Sequence, residues 1–317
     1  MIRVLLRRFG LGIVTLICVS ILVFAGTQAL PGDAAQAILG KTATPERLAA
    51  LRSALHLNQP LLSQYTTWIG GILHGNFGES LASESPVATL IAPRVVNSAF
   101  LVVVSAIFAI PLSLAIGVVS AVWRDGLVDH ALSTITLILA AVPEFVIGIA
   151  LIVLLATNVT HLLPAVAMLD DSVPLWRQLG QTVLPVLTLN LAVIPYMSRI
   201  MRASMIEVME SEYIQMARLK GMPPGRVILR HALPNAIVPF VQVTALQLAW
   251  LAGGIVVVEV VFHYPGIGQA LVDAVSNRDL PVVQALTLLV GAVYVLLNLV
   301  ADIATILLTP RLRTSLR

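Results

Sequence analysis

The chain reads Ser211-Glu212-Tyr213-Ile214-Gln215-Met216-Ala217-Arg218-Leu219-Lys220-Gly221 between two stretches that are each apolar enough to cross a membrane. The quoted residues carry too many charges to lie in lipid themselves. Ser211 is a preferred residue just before the first turn of a helix, and Glu212 complements the positive end of that helix. Gly221 fits the left-handed residue that often ends a helix. The stretch therefore predicts a short capped helix held between two membrane spans.

The hairpin segment, residues 211–234, continues with Pro223-Pro224 and a second short stretch that ends His231-Ala232-Leu233-Pro234-Asn235. We predict a second short helix there, separated from the first by the two prolines. The first helix has four apolar side chains that would form a contact face for a partner protein, namely Tyr213, Ile214, Met216 and Ala217. Two interpretations stay open at this point. The segment is grasped by another protein, or its first helix lies on the inner leaflet.

The rest of the chain is that of an integral membrane protein, because its 317 residues are 58% hydrophobic and only 11% charged. A lipid-spanning helix needs about 20 apolar residues. Six windows qualify, at roughly 9–30, 97–122, 131–157, 183–203, 236–262 and 282–308. We therefore predict an all-α protein with six transmembrane helices. Pro185, Asn190 and Pro195 interrupt the fourth window, where we expect a broken or kinked helix.

The basic residues predict the orientation of the spans. With an even number of spans and the amino terminus inside, thirteen of the nineteen Lys and Arg residues fall on cytoplasmic segments. Both termini should therefore be cytoplasmic. The first window is too long for a cleaved signal peptide, and we interpret it as a retained anchor. The net charge of +3 reflects arginines near the lipid surface, so no nucleic-acid partner is expected.

The spans divide the chain into four predicted parts: an anchor helix (1–30), an external helical segment (31–96), a five-span core with the hairpin segment (97–308) and a tail (309–317). In the external segment, Thr44-Pro45-Glu46 begins a helix that should run to about His56. A second helix, from Pro60 to about Leu73, places Leu61, Tyr65, Trp68, Ile69 and Ile72 on one face. This helix either braces the spans or contacts a partner that delivers substrate.

Four polar residues fall inside or near the ends of predicted spans. Glu144, in Pro143-Glu144-Phe145, lies deep in the third span, where a carboxylate marks a functional site by default. It lines a translocation pathway, or it faces a polar bundle interior at a proline break. Glu259 lies near the outer end of span five, and Asn298 and Asp302 near the inner end of span six. We expect these three to reach water or lipid headgroups.

The hairpin segment resembles the EAA loop of bacterial ABC-importer permeases, whose pattern is E-A-A, three residues, G, nine residues, I-x-L-P. The spacing is kept, and Ala217, Gly221, Leu233 and Pro234 match in type. Gln215, Met216 and His231 replace the Glu, the first Ala and the Ile. Peptide-type members of that superfamily keep instead an E-Y-x-x-x-A-R-x-K-G run, which is present here from Glu212 to Gly221.

Further stretches resemble the dipeptide, oligopeptide and nickel permease subfamily, and in particular its B-type subunit. They cover nearly the whole chain and include Leu30-Pro31-Gly32-Asp33, Leu57-Asn58-Gln59-Pro60, Gly75-Asn76-Phe77-Gly78-Glu79-Ser80, Pro265-Gly266-Ile267-Gly268, Arg278-Asp279-Leu280-Pro281-Val282-Val283-Gln284, Asn298-Leu299-Val300-Ala301-Asp302 and Pro310-Arg311-Leu312-Arg313.

The resemblance implies a type I ABC-importer transmembrane domain in the bacterial inner membrane. It implies three kinds of protein partner: a second homologous permease, one or two cytoplasmic ATPase subunits, and an extracytoplasmic solute-binding protein. The residues implied for coupling to the ATPases are Glu212, Gln215, Ala217, Gly221, Leu233 and Pro234. The chain has no Walker A motif, since Gly40-Lys41-Thr42 lacks the first glycine at Ala35. We therefore expect no cofactor in this chain and no ATPase activity, with ATP and Mg²⁺ bound by the partners.

The predicted function is uptake of dipeptides or oligopeptides by alternating access. Nickel or another small solute would use the same architecture, because selectivity is largely set by the binding protein and the partner permease. An ion-coupled secondary transporter is a separate alternative, for which Glu144 is the one deep carboxylate. A membrane scaffold without transport fits the composition but leaves the spacing of the hairpin segment unexplained.

Overall fold

The computed structural model describes residues 2–29, 44–46, 59–157, 159, 161–170 and 172–308. Ten helices of eight or more residues make up most of this described part. Their bounds are α1 Ile2–Ala29, α2 Leu61–Leu73, α3 Val87–Val122, α4 Leu127–Ala141, α5 Glu144–Leu151, α6 Leu179–Met209, α7 Glu212–Leu219, α8 Leu233–Val261, α9 Ile267–Ser276 and α10 Leu280–Leu308. Most of the predicted helix from Thr44 to His56, and the predicted tail 309–317, lie outside the described residues.

Five helices are long and apolar enough to cross a membrane, namely α1, α3, α6, α8 and α10. A sixth candidate span is the pair formed by α4 and by α5 with the π-helical segment Ile152–Thr157 that follows it. The two members of this pair are bent by 104°. These helices confirm the all-helical prediction, and they coincide with the six apolar windows.

We expected the fourth span to be broken or kinked, and the first of these alternatives is wrong, because α6 runs unbroken through Pro185 and Pro195. A kink at either proline stays a prediction. Each proline removes one backbone hydrogen bond. A membrane helix tolerates this where other helices surround it, and α6 is the most buried of the candidate spans. The break falls in the third span instead, where Val142 and Pro143 are extended between α4 and α5.

The core of the bundle is the contact between α3 and α6, which is the most extensive in the described structure. Small buried residues recur every four positions along α3, at Ser105, Ala109, Ser113, Gly117 and Ala121. Small residues let the backbones of membrane helices approach closely. At Gly117 the approach is closest, because an added Cβ would lie 2.5 Å from the Cβ of Met201 and 2.7 Å from the carbonyl oxygen of Ser198.

Helix α1 packs mainly against α10 and α2. At one end of the bundle, Arg8 and Asp302 form a salt bridge of 3.0 Å. The start of α1 and the last turns of α10 therefore share this end, which we call the terminal end. Asp302 is thus half-buried and paired with Arg8. Which side of the membrane the terminal end faces stays a prediction.

The opposite end of α1 is held by α2 and by the first turns of α10. Phe24 stacks edge-on against Tyr65, with ring centroids 5.5 Å apart, and lies near Trp68. The Tyr65 hydroxyl lies 2.8 Å from the Ser20 hydroxyl. One turn beyond Phe24 along α1, the Gln284 amide donates to Thr27 at 2.7 Å. Helix α2 therefore uses its aromatic face to brace a span, as one of the two interpretations of that face predicts.

Candidate functional site

The hairpin segment lies at the terminal end, between the last turn of α6 and the first of α8. Helix α7 begins at Glu212, after an extended Ser211. The expected side-chain cap is absent, because the Ser211 hydroxyl donates to the carbonyl of Val208 at 2.5 Å and makes no bond to α7. Two residues separate α6 from α7, and the Val208 carbonyl in the last turn of α6 also accepts the Ser211 N–H at 3.1 Å. Ser211 thus joins the two helices.

The predicted left-handed stop at Gly221 is confirmed, with a φ of +72°. The Gly221 N–H donates to the Arg218 carbonyl at 2.9 Å, and the Met222 N–H donates to the Ala217 carbonyl at 3.3 Å. These two bonds form a Schellman motif, which satisfies carbonyls that the end of a helix would leave unpaired. Helix α7 therefore ends in one defined geometry that only a residue tolerant of positive φ can hold.

The second half of the hairpin segment differs from the predicted separate helix. A single helical turn, Pro224–Arg226, leads into a π-helical segment, Val227–Ala232, which continues directly into α8. We attribute the π-helical turns to Pro234. Its ring would crowd the carbonyl four residues earlier in an α-helix, and it has no N–H to donate. The hairpin segment is therefore a short helix joined without interruption to a membrane span.

The two faces of the hairpin segment have different surroundings. Ile214, Ala217, Val227 and Ala232 are buried in the same apolar core as α3 and α6. Tyr213 and Met216 are about half exposed, and Leu219 and Leu229 are 82% and 64% exposed. The predicted contact face is thus divided. Ile214 and Ala217 anchor α7 to the spans, while Tyr213 and Met216 lie on the surface with two leucines that the sequence pattern did not single out.

The remaining residues predicted for coupling lie around these faces. Glu212 and Pro234 are exposed, and Leu233 is half-buried. Gln215, which replaces the Glu of the EAA pattern, is exposed and donates its amide to the Glu210 carbonyl at 3.1 Å. The amide therefore ties α7 to the end of α6. A carboxylate at position 215 could not donate this bond at neutral pH.

A cluster around Asp129, with Ser120, Ser133 and Arg202, lies close to the hairpin segment and was missed by sequence reasoning. Arg202 donates to both carboxylate oxygens of Asp129, at 2.7 and 2.6 Å, and the Ser120 hydroxyl also donates to one of them. Asp129 is buried. The cluster joins α3, α4 and α6 seven residues before α6 ends. One signal for this cluster is present in the sequence. Asp129 and Arg202 have opposite charges and lie at the ends of two apolar windows.

A second buried cluster lies at the opposite end, around Glu259, and it corrects the expectation that Glu259 reaches water. The Glu259 side chain is fully buried. It accepts hydrogen bonds from the Ser98 hydroxyl at 2.5 Å and from the N–H groups of Gly268 and Gln269 at 2.6 and 3.3 Å. The carboxylate thus lies against the first turn of α9, which carries positive partial charge. It joins α3, α8 and α9.

The Glu259 cluster explains the turn Pro265-Gly266-Ile267-Gly268, because the carboxylate occupies the space that a side chain at position 266 would need. An added Cβ on Gly266 would lie 2.1 Å from Glu259 Oε1. We predict that Gly266→Ala displaces the carboxylate and lowers the thermal unfolding midpoint of the purified protein by several degrees. Gly180→Ala is the control, since an added Cβ there meets no atom within 4 Å. Equal midpoints for both variants would contradict the account.

Two of the stretches that resemble peptide permeases meet at this end. Asp279, just before α10, accepts hydrogen bonds from the Ser80 hydroxyl and from the N–H of Leu81 at 3.1 Å. Asp279 is buried. The turn around residues 79–86 is therefore held against the start of the last span. Sequence spacing could not show this contact, because the two residues are 199 positions apart.

Glu144 is the first residue of α5 and is half-buried. It makes no hydrogen bond or salt bridge with another described residue. Its role in a translocation pathway stays a prediction. Among the described residues, no group of three His, Cys, Asp or Glu side chains could hold a metal ion.

Two family profiles match the chain. The "Binding-protein-dependent transport system inner membrane component" matches residues 113–314, and "Binding-prot-dependent transport system membrane comp, N-term" matches residues 1–115. The "Probable peptide ABC transporter permease protein y4tP" of Sinorhizobium fredii is 38% identical over 312 residues, covering 98% of both chains. The "Glutathione transport system permease protein GsiC" of Salmonella typhimurium and that of Escherichia coli are each 39% identical over 310 residues, with the same coverage.

These matches agree with the all-helical fold, its five or six candidate membrane helices and the peptide-type pattern of the hairpin segment. They extend over nearly the whole length of this chain and of its relatives. The chain therefore belongs to the family of binding-protein-dependent transport system inner membrane components, the permease subunits of ABC importers of the peptide type.

Proposed function

We propose that this inner-membrane permease subunit moves dipeptides or oligopeptides inward, and that its hairpin segment transmits the motion of a cytoplasmic ATPase to the spans. The observation that carries this proposal is the hairpin segment itself. One face is fixed in the core through Ile214, Ala217 and Val227, and the other exposes Tyr213, Met216 and Leu219. An element with one anchored and one free apolar face suits a partner groove that accepts a short helix.

Rigidity on the permease side supports the same role. The Gln215–Glu210 hydrogen bond fixes α7 relative to the end of α6, and the Schellman motif fixes where α7 ends. The ion pair between Asp129 and Arg202 then fixes the end of α6 relative to α3 and α4. A displacement of the hairpin segment would therefore move three membrane helices together, as a two-state switch between inward-open and outward-open cavities requires.

The remaining partners and the substrate are part of the proposal. Membership of this family implies ATPase and binding-protein partners. We add a second homologous permease subunit, which would complete the cavity, and we leave ATP and Mg²⁺ to the ATPases. The relatives are named for peptide and glutathione transport, and glutathione is itself a small peptide. This naming supports a peptide substrate over a nickel chelate.

The test is to purify the tagged protein from its own cells in mild detergent and to identify what accompanies it by mass spectrometry. Recovery of a second permease and an ATPase, together with ATP-dependent peptide uptake by the reconstituted complex, is the expected result. Recovery of a lone polypeptide whose uptake follows an ion gradient and ignores ATP would overturn the proposal. In that case Glu144, the carboxylate in the broken span that has no partner among the described residues, would be the first residue to replace.

A further inference from the structure

A groove on the first half of α3, which we call the α3 groove, is not used by the coupling machinery. It lies between this helix and residues 169–170 and 172–176, and its volume is about 840 Å³. Ligand sites typically have volumes of about 300–1,000 Å³. The groove is at the end of the bundle opposite the terminal end, since it includes Asn97, whose amide donates to the carbonyl of Pro265. The predicted orientation places it on the outside.

The length of α3 indicates that the groove extends beyond the lipid. The helix has 36 residues, which corresponds to about 54 Å, whereas the hydrocarbon core of a bilayer is about 30 Å thick. The polar residues Arg94 and Asn97 lie in the first third of this helix, so the excess length belongs at this end. Residues 93–103, which line the groove, therefore extend from the lipid boundary into the aqueous side.

The walls of the α3 groove are mainly apolar and include two aromatic rings. The main wall residues are Val96, Phe100 and Val103 from α3, and Leu169, Val173 and Trp176 from the facing segment. Val103 and Trp176 are 55% and 69% exposed. Such walls suit the apolar or aromatic side chain of a small ligand, and aromatic rings contribute large contact areas at little cost in conformational entropy.

One carboxylate in the groove, that of Asp170, is held in place through one of its two oxygens. Its Oδ1 accepts hydrogen bonds from the N–H and hydroxyl of Ser172, at 2.8 and 2.6 Å. Gln178 bonds both the N–H and the carbonyl of Asp170, at 2.8 and 2.9 Å. The hydrogen bonds from Ser172 lower the pKa of this carboxyl group, so it is ionised at neutral pH. No described residue donates to its Oδ2 or forms a salt bridge with it.

We propose that the α3 groove binds the amino-terminal end of a short peptide, with the peptide's ammonium group on Oδ2 of Asp170 and an apolar side chain between Phe100 and Trp176. This inference rests on the proposed function and names the part of the substrate that the permease itself recognises. A negative charge beside apolar walls selects a cationic group attached to an apolar body. Both anionic headgroups and anionic solutes are disfavoured by the same carboxylate.

The expected selectivity is modest, because an ion pair at an exposed site contributes little. We expect a peptide with a free amino terminus to bind about five-fold more tightly than the same peptide with an acetylated amino terminus. Weak binding suits a site on a transport route, since the peptide must also leave it. The main selection would remain with the binding protein.

The test uses the lone cysteine of the chain, Cys18, which is replaced by serine so that single reporter cysteines can be introduced. Val103→Cys reports on the α3 groove, and Val272→Cys, on the exposed face of α9, serves as the matched control. The complete permease complex is reconstituted into liposomes without binding protein. A water-soluble maleimide then labels each cysteine in the presence of alanylphenylalanine or its N-acetyl derivative.

We expect alanylphenylalanine to slow labelling at position 103 and not at position 272, and its acetylated form to need about five-fold higher concentration. Asp170→Asn should remove this difference, whereas Asp273→Asn, on α9, should keep it. Equal protection by both peptides, or protection that Asp170→Asn does not change, would overturn the inference. Labelling of position 103 only by a lipid-soluble maleimide would do the same, because the groove would then face lipid.

Peptide uptake by the same liposomes, measured with binding protein and ATP, separates this inference from the proposed function. If unlabelled complex takes up the peptide but the peptide gives no protection at position 103, the α3 groove is not the site and the importer proposal stands. If there is no peptide uptake with ATP, the proposed function itself fails, whatever the labelling shows.

Discussion

Replacing Gly221 with valine is expected to abolish ATP-driven uptake while leaving the protein inserted in the membrane. The backbone at position 221 has a φ of +72°, which a β-branched residue adopts only at a large energetic cost. Relief of that strain breaks the two hydrogen bonds of the Schellman motif and lets α7 end elsewhere. The exposed face of Tyr213 and Met216 then no longer has a fixed direction. Uptake in reconstituted liposomes and recovery of the ATPase with the tagged permease measure the two effects.

Two further variants make this result specific. Gly225→Val places the same side chain four residues later, in a helical turn with open space around it and no positive φ, so uptake should persist. Gly221→Asn should retain most of the activity, because asparagine tolerates the left-handed conformation better than other residues with a side chain. Normal transport by Gly221→Val would refute the coupling role of the hairpin segment.

Replacing Gly117 with leucine is expected to have the largest effect on stability. The new side chain would meet the backbone carbonyl of Ser198 as well as Met201, so rotation of one side chain cannot relieve the clash. Overpacking in a filled core costs about 1–3 kcal/mol, and the cost rises where backbone is involved. Helices α3 and α6 would have to separate along their main contact. We expect a much lower yield of monodisperse protein and a lower unfolding midpoint in detergent.

The control for Gly117→Leu is Gly26→Leu, in α1. An added Cβ at Gly26 meets no atom within 4 Å, so the extra side chain can extend into lipid. That variant should have the yield and midpoint of the unsubstituted protein. If both variants behave alike, the close approach of α3 and α6 at Gly117 does not exist in the folded protein.

The helical type and the positions of the apolar segments could be predicted from the sequence, because the bilayer sets the length of an apolar run and requires helical hydrogen bonding within it. The location of the broken span could not. Proline content pointed to α6, yet α6 is continuous and the break follows Val142. A proline disrupts a helix according to how well neighbouring helices surround it, and this depends on tertiary packing rather than on the sequence near the proline.

In the hairpin segment, the first helix and its end at Gly221 agree with the prediction, whereas the Ser211 cap and the separate second helix do not. The left-handed conformation at position 221 is confirmed, because glycine is the residue type that most readily adopts it. Pro234 produces π-helical turns in a continuous helix rather than an end, because α8 follows at once. The buried positions of Glu259 and Asp129 were also missed. Each carboxylate depends on donors from other helices, such as Ser98 and Arg202, which no local pattern reveals.

The packing of α1 means that this helix lacks its main partner for most of the time the chain is being synthesised. The main partner of α1 among the spans is α10, the last to be made, and the hydrogen bond between Thr27 and Gln284 joins residues 257 positions apart. At about 5–20 residues per second, the ribosome needs about 13–50 s to supply the missing partner. During that interval α2 is the main neighbour of the first span among the described elements already made. A nascent chain stalled before residue 280 should therefore hold its first span loosely, exposed to quality-control proteases that act within the membrane.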